Sequence, residues 1–189
     1  MPAPAPPSDL STLSLAQIAQ LVADRKLAPV DSWNPARCGD SAMRIARDGT
    51  WYHEGAPINR PAMVRLFAGI LRREPDGGYV LVTPAEKLDI AVEDAPFVAV
   101  EVKVAGEGPD TTLAFRLNTG DVVIADADHP LHFVDRADGP HPYLTVRTGL
   151  DALIARPVYY ELAVIATADD DAPPGLWSAG CFFPMTPAA

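Results

Sequence analysis

The sequence is poor in cysteine, in long apolar runs and in recognisable catalytic motifs. Its 189 residues include only Cys38 and Cys181, too few for a disulfide framework, which suits a reducing cytoplasm. No run approaches the roughly 20 apolar residues that span a bilayer, and residues 1–7 lack the basic and apolar regions of a signal peptide. Phosphate-binding glycine loops and nucleophile elbows are also missing from the sequence. We therefore expect a cytoplasmic globular protein, and the lack of catalytic motifs favours one that is not an enzyme.

Acidic residues outnumber basic ones, and the imbalance is uneven along the chain. The 25 Asp and Glu residues against 15 Lys and Arg give a net charge of −10, so the surface should repel nucleic acids and anionic membranes. Between Arg37 and Arg73, however, seven arginines stand against three acids, a local balance of +4 that leaves −14 for the remainder. The planar fork of arginine suits phosphate and carboxylate groups. The first half of the chain is therefore where an anionic ligand is expected.

Hydrophobic periodicity divides the chain into a leader and two lobes. Residues 1–36 are predicted to be a flexible proline-rich leader with one docking helix, which begins after the capping box at Ser14. Residues 37–97 are predicted to form an N-terminal α+β lobe. Its hairpin turns at Asp48-Gly49, and its helix runs from Pro61 to about Arg73.

Residues 98–189 are predicted to form the C-terminal lobe. Helix signals disappear after residue 98, and short alternating strands predict a small antiparallel barrel or a strongly bent sheet. A helix that begins at Arg156-Pro157 closes this lobe, and the apolar tail from Leu176 to Met185 is expected to pack back onto it. A second capping box at residues 83–86 also predicts one helical turn just before the end of the N-terminal lobe. The predicted fold class is α+β with two small lobes.

A hairpin–helix motif occurs twice in the sequence. Arg47-Asp48-Gly49, followed by Arg60-Pro61 and Leu66, recurs as Arg147-Thr148-Gly149, followed by Arg156-Pro157 and Leu162. The pattern favours an internal duplication, and the alternative is chance in a sequence rich in arginine and proline.

Basic and aromatic groups of the two motifs form the candidate ligand site. An aromatic plane that stacks a base, beside guanidinium groups and a helix N-terminus that hold a phosphate, suits a nucleotide. The stacking candidates are Trp51 and Tyr52, and the phosphate candidates are Arg47, Arg60, Arg65, Arg147 and Arg156. The structural alternatives are a core position for Trp51 and a helix-end ion pair for Arg60. We expect an anionic, nucleotide-like small molecule between the two lobes, with no metal and no cofactor.

Two other functions stay open at this point. A metal-dependent hydrolase would use Asp126, Asp128, His129 and His132, although their spacing matches no common metal site. A protein-interaction module, with a protein partner and no small ligand, would use the edge of the second sheet and the apolar tail near Trp177.

Several segments together resemble the bacterial family called domain of unknown function 1285. They are residues 38–45 (CGDSAMRI), 48–52 (DGTWY), 55–58 (GAPI), 79–87 (YVLVTPAEK), 143–147 (YLTVR) and 156–162 (RPVYYEL). The resemblance implies an α+β fold with an internally duplicated core, whose C-terminal half is similar to pleckstrin-homology domains. It also implies a small-ligand site suited to a nucleotide-like molecule at the interface between the halves, and a role in signal transduction. It implies no activity and no catalytic residue.

Overall fold

The structure is a computed structural model that describes residues 10–24, 28–167 and 173–185. These residues form two compact units. The N-terminal unit contains the described residues of Lys26–Phe97 together with Thr148–Leu150, and the C-terminal unit contains those of Met1–Arg25, Val98–Arg147 and Asp151–Ala189. No helix in the described ranges has both the length and the apolar character needed to cross a membrane.

The N-terminal unit is a six-stranded sheet with one helix. Numbered along the chain, its elements are β1 (Arg37–Ile45), β2 (Trp51–His53), β3 (Ala56–Pro57), α2 (Pro61–Gly69), β4 (Leu71–Arg73), β5 (Tyr79–Val82) and β6 (Glu86–Val92). The strand order is β3-β2-β1-β6-β5-β4. The two central strands β1 and β6 are parallel, whereas the outer neighbours pair antiparallel. The unit is therefore two three-stranded meanders joined through β1 and β6.

The apolar side chains of this sheet build the core of the N-terminal unit. Leu71, Val82 and Ile45 are fully buried, and each comes from a different strand. A short 3₁₀ helix at Val30–Ser32 packs its Val30 against Val80 and Val82. Burial of these aliphatic side chains, at about 1.5–3 kcal/mol each, holds the loop segment on the sheet.

The C-terminal unit contains the second six-stranded sheet, two helices and a hairpin. Its elements are α1 (Leu15–Ala23), β7 (Phe97–Ala105), β8 (Thr112–Leu117), β9 (Val122–Ile124), β10 (Leu131–Arg136), β11 (Gly139–Arg147), β12 (Leu150–Ile154), α3 (Arg156–Ala166), β13 (Gly175–Ser178) and β14 (Cys181–Pro184). The strand order is β10-β11-β12-β7-β8-β9. Within the described residues the edge strands β9 and β10 do not pair, so the predicted barrel is wrong and the sheet is open.

Helix α1 docks on this second sheet as its apolar stripe predicts. The capping box is confirmed, because the Ser14 hydroxyl accepts the N–H of Gln17 at 3.3 Å and the Gln17 side chain accepts the N–H of Ser14 at 2.8 Å. Ile18 is fully buried and packs with Leu10 and Val122. Lys103 and Glu101 of β7 hold the preceding segment through its main chain: the Lys103 ammonium donates to the carbonyl oxygens of residues 10, 11 and 13, and Glu101 accepts the N–H of residue 10 at 2.7 Å.

The predicted return of the tail is also confirmed. The β13–β14 hairpin buries Leu176 and Phe183, and Ser178 is fully buried. The Ser178 hydroxyl accepts the N–H of Leu113 at 2.9 Å and donates to the carbonyl of Ala125 at 2.6 Å. One side chain therefore ties the hairpin to two other segments of the unit.

The two sheets follow the same strand order. Read from the other edge, the second sheet runs β9-β8-β7-β12-β11-β10, which is the first order with six added to every number. The hairpin–helix motif found in the sequence does not follow this correspondence. Its first copy turns between β1 and β2, whereas its second copy turns between β11 and β12. The shared leucine also differs, because Leu66 is 63% exposed and Leu162 is fully buried.

Two local predictions are corrected by the structure. The helix predicted to end near Arg73 stops at Gly69, because residues 71–73 pair with β5 as strand β4. The helical turn predicted at residues 83–86 is wrong. The Thr83 hydroxyl does accept the N–H groups of Ala85 and Glu86, but the chain then enters β6. Pairing of β6 with both β1 and β5 outweighs the local helix signal there.

Candidate functional site

The β1–β2 hairpin brings the predicted Arg47 and Tyr52 close to Arg44. Gly49 has φ of 83°, which the tight turn requires and which glycine adopts without strain. Asp48 accepts the N–H of Thr50 at 2.9 Å, and hydrogen bonds from Thr50 lower the pKa of this carboxyl. The turn is therefore held by its own side chains, which positions the arginines on either side of it.

The arginines of this hairpin are matched with two acids that follow β6. Arg44 donates to Glu93, whose second oxygen accepts the N–H of Arg47 at 3.0 Å. The Arg47 Nε atom lies 3.2 Å from the carboxylate of Asp94, which is almost fully buried. Arg47 is therefore neutralised within its own unit.

Tyr52 is stacked under a guanidinium group. The Arg44 guanidinium lies 4.3 Å from the centre of the Tyr52 ring, a cation–π contact. The two residues are directly opposite in the antiparallel register of β1 and β2. Arg44 was not among the predicted site residues. A two-residue turn at Asp48-Gly49 would pair it with His53, whereas the observed loop of residues 47–49 places it opposite Tyr52.

Trp51 is a core residue in this structure. It is 1% exposed, and its ring lies 6.4 Å from that of Phe67 on α2, with 19° between the planes. The stacking role predicted for Trp51 is therefore corrected, because neither face of a ring this buried can receive a base. Its indole N–H has no hydrogen-bond partner among the described residues. Of the two predicted aromatic side chains, only Tyr52 is accessible.

Arg60 and Arg65 lie at the start of α2 and one turn further on. Both are exposed, and neither guanidinium group has an ion-pair or hydrogen-bond partner within the described residues. Arg60 is the N-cap residue and is followed by Pro61. The first turn of α2 contains no acidic residue, and no side chain caps the helix. The positive end of the helix dipole therefore coincides with an unpaired cation.

Arg147 and Arg156 belong to the C-terminal unit. Arg147 ends β11 and is half-buried. Arg156 is the first residue of α3, is exposed, and has no ion-pair partner in the part of the chain that the structure describes. The first turn of α3 also lacks both an acidic residue and a side-chain cap. Arg156 and Arg60 thus share one local arrangement, each in its own unit.

The sequence did not predict a second basic cluster, which lies between β4 and β6. Glu74 accepts from Arg72 Nε at 2.7 Å and from Lys87 Nζ at 2.9 Å. Arg72 also donates to the carbonyls of Val30 and Trp33, at 2.7 and 2.8 Å. The Arg72 Nη1 group therefore holds the segment before β1 while its Nε pairs with Glu74, which indicates a structural role for the cluster.

The acidic and histidine residues of the hydrolase alternative are engaged separately. Asp126 accepts the N–H groups of Asp128 and His129 at 2.9 and 2.8 Å, and His129 Nδ1 lies 3.2 Å from the carbonyl of Thr145. His132 lies 3.7 Å from Asp151. Among the described residues no group of three or more His, Cys, Asp or Glu could hold a metal ion. The geometry gives the hydrolase alternative no support.

Comparison with known families identifies the class of protein. A profile described as Domain of unknown function (DUF1285), N-terminal domain, matches residues 28–95. A second profile, described as Protein of unknown function (DUF1285), C-terminal domain, matches residues 96–185. The chain belongs to the DUF1285 family, and the resemblance read from its sequence is confirmed. No curated protein matches the chain.

Two solved structures support this assignment. The chain is similar to a DUF1285 family protein from Silicibacter pomeroyi DSS-3, with 48% identity, a TM-score of 0.78, and coverage of 90% of this chain and 93% of that chain. It is also similar to a DUF1285 family protein from Shewanella baltica OS155, with 28% identity and a TM-score of 0.51. That match covers 64% of this chain and 89% of the other. Neither description states an activity or a ligand.

Proposed function

We propose that this chain is a cytoplasmic ligand-binding module that takes an anionic, nucleotide-like small molecule and acts in signal transduction. In the N-terminal unit Arg60 and Arg65 bind the phosphate, and Tyr52 contributes the aromatic surface. Arg147 and Arg156 are proposed as further contacts from the C-terminal unit. That one molecule contacts both units, and that the C-terminal half is similar to pleckstrin-homology domains, stay predictions.

The observation that carries the proposal is the unpaired cation at the start of α2. A positive side chain at a helix N-terminus is unfavourable by about 0.3–1 kcal/mol, because it meets the positive end of the dipole. The usual remedies, an acid in the first turn or a capping side chain, are missing from α2. A bound phosphate would pair with Arg60 and could accept the N–H of Ala62, because Pro61 has no N–H and those of Met63 and Val64 bond to the Arg60 carbonyl.

Tyr52 supports a nucleotide over a simple anion. Tyr52 is half-buried, and its ring makes a cation–π contact with the Arg44 guanidinium, so the site combines an aromatic plane with positive charge. Pro57 is its cross-strand partner on β3, and Arg60 follows three residues later. A short connection therefore joins the stacking residue to the phosphate-binding residues.

A thermal-shift and calorimetry screen tests the proposal. The probes are the four common nucleoside monophosphates and triphosphates, with the matching nucleosides and inorganic phosphate as controls. A ligand that binds only the folded state adds about 2.7 kcal/mol of stability at a hundred times its dissociation constant. We expect a nucleotide to raise the melting temperature more than its nucleoside or phosphate alone. The proposal fails when no nucleotide raises it.

Arginine variants locate the binding residues. A hydrogen bond to a charged group contributes about 1.5–3 kcal/mol, so Arg60→Gln and Arg65→Gln should each weaken binding by roughly 10- to 100-fold. Arg37→Gln is the matched control, because Arg37 is a mostly exposed arginine of the same unit that is paired with Glu86 at 3.4 Å. Equal effects of all three variants would show non-specific attraction. Arg147→Gln and Arg156→Gln then test the contacts predicted from the other unit.

A second candidate is a protein-interaction module. It is favoured by exposed apolar side chains on α3, of which Tyr160 and Val164 are the most exposed. Contiguous exposed apolar side chains are typical of surfaces that contact another molecule.

A further inference from the structure

Helix α3 is apolar on two opposite faces. Its inner face buries Val158, Leu162 and Ala166 in the C-terminal unit. On its outer face Tyr160 is 61% exposed and Val164 is 72% exposed. A surface helix that packs on one side only is expected to be polar on the other. The outer face of α3 therefore has the apolar character of a surface that contacts another molecule.

The hairpin that contacts α3 exposes further apolar side chains. Ile165 follows Val164 and is also exposed, and β13 contacts α3. The β13–β14 hairpin presents Trp177 and Phe182, which are partly exposed, with ring centroids 5.2 Å apart and 55° between the ring planes. A fully buried aromatic side chain covers about 150–250 Å², so these side chains together present several hundred square ångströms.

Arg156 is placed against the dipole of α3, whose other charged residue, Glu161, lies in the middle of the helix. Arg156 lies at the positive N-terminal end, and the last turn contains no basic residue to satisfy the free carbonyl groups at the negative end. A second α3 lying antiparallel would correct both ends at once. Each Arg156 would then lie beside the last turn of the other helix, where a cation is favourable.

The spacing of the outer residues suits such a pairing. Arg156, Tyr160 and Val164 are four residues apart and form one stripe along the helix. When the stripe is laid antiparallel on its copy, each Tyr160 lies against Val164 of the other chain, and the same contact is made twice about a two-fold axis. Arg156 then reaches the opposite C-terminus on both sides.

We propose that the outer face of α3 is the contact surface of a two-fold symmetric homodimer, with Tyr160 and Val164 at its centre. The occupant of this face is a second copy of the same chain. Helix α2 also exposes a large apolar residue, Leu66, but Arg60 at its start is six residues away and does not share an i, i+4 stripe with it, as Arg156 does with Tyr160 and Val164. The charge pattern therefore distinguishes α3 from α2.

Sedimentation velocity of the full chain over a concentration series tests the dimer. We expect a concentration-dependent dimer in the wild type, and Val164→Asp should raise its dissociation constant by at least about tenfold, because it buries an unpaired charge. Val164→Leu should keep the dimer. Leu66→Asp is the matched control, since it introduces the same charge at an equally exposed apolar position and should leave the dimer intact.

Several outcomes would overturn the proposal. They are a wild type that stays monomeric at every concentration, and a Leu66→Asp variant that dissociates as much as Val164→Asp. A monomer that forms a stable complex with a different protein would also overturn it. Tyr160→Ser is the second variant where Val164→Asp fails to fold by circular dichroism, and it should weaken the dimer in the same direction.

The dimer proposal and the ligand proposal can fail separately. Val164→Asp should retain the wild-type thermal shift with nucleotides, because Val164 is not a proposed ligand contact. Arg156→Gln separates the two roles of Arg156. Weaker dimerisation with an unchanged nucleotide shift assigns Arg156 to the dimer alone, and an unchanged dimer with a reduced shift assigns it to the ligand and removes it from the interface.

Discussion

Replacing Glu74 by glutamine should destabilise the N-terminal unit measurably. Glu74 is the single acid that pairs with both Arg72 and Lys87, at 2.7 and 2.9 Å. The exposed fractions of the three side chains are 18% for Glu74, 12% for Arg72 and 27% for Lys87. Glutamine keeps the shape but removes the charge, so two partly buried cations lose their counterion.

The expected magnitude follows from this intermediate burial. Exposed ion pairs contribute about 0–1 kcal/mol, whereas removing one partner of a fully buried pair costs about 3–5 kcal/mol. For Glu74→Gln we expect a loss of roughly 1–3 kcal/mol, measured as a lower denaturant midpoint at unchanged slope in urea unfolding. Glu86→Gln is the matched control, because its partner Arg37 is 78% exposed at 3.4 Å, and it should change stability by less than about 0.5 kcal/mol.

The pH dependence gives an independent check of the same pair. The hydrogen bond from Lys87 is the largest influence that lowers the pKa of Glu74, Arg72 adds to it, and burial opposes it. A carboxyl with a lowered folded pKa stabilises the fold above its unfolded pKa and loses that contribution as pH falls through the folded pKa. The difference in the free energy of unfolding between wild type and Glu74→Gln should have its full value at neutral pH and should shrink below the ordinary carboxyl pKa of 4.5. A difference that is the same at pH 7 and in acid would refute the argument.

Three further predictions concern the C-terminal unit. Ser178→Ala should lower the free energy of unfolding in urea by about 2–4 kcal/mol, because it leaves the buried N–H of Leu113 and the carbonyl of Ala125 without the hydroxyl. A loss below about 1 kcal/mol would mean that water replaces the hydroxyl. Ala179→Asn should raise the melting temperature by the equivalent of about 0.5–1 kcal/mol, since residue 179 has φ of 48° in a two-residue hairpin turn that favours asparagine; a decrease would contradict this. Lys103→Met should increase amide exchange in α1 and leave the second sheet protected, and unchanged exchange in α1 would show that its apolar contacts suffice.

Signals that act over a few residues predicted local structure correctly. The Ser14 capping box forms both of its reciprocal hydrogen bonds, and Asp48-Gly49 closes the expected hairpin. Each depends on side chains that bond to main-chain groups two or three residues away, so the sequence contains the whole interaction. The family resemblance is confirmed by two matched profiles, one for each half of the chain.

Features that depend on distant pairing could not be predicted in the same way. Thr83 makes a capping contact like that of Ser14, yet a strand follows it, because β6 pairs on one side with the preceding strand β5 and on the other with β1, far away in the chain. Residues 71–73 left the predicted helix for the same reason. A local signal predicts the secondary structure that a segment prefers, and pairing within the sheet decides the secondary structure that it adopts.

The candidate site also has features that the sequence predicted and features that only the tertiary structure decided. The order of residues along the chain was enough to show that arginine accumulates in the first half and to predict that two helices begin at Arg-Pro. Only the tertiary structure decided that Arg47 is neutralised by Asp94, that Trp51 is buried against Phe67, and that Arg60 stays exposed and unpaired within the described residues. The sequence tells which side chains are charged. Whether such a side chain is free to bind a ligand depends on the acids and apolar groups that the fold brings next to it, and those come from other strands and helices.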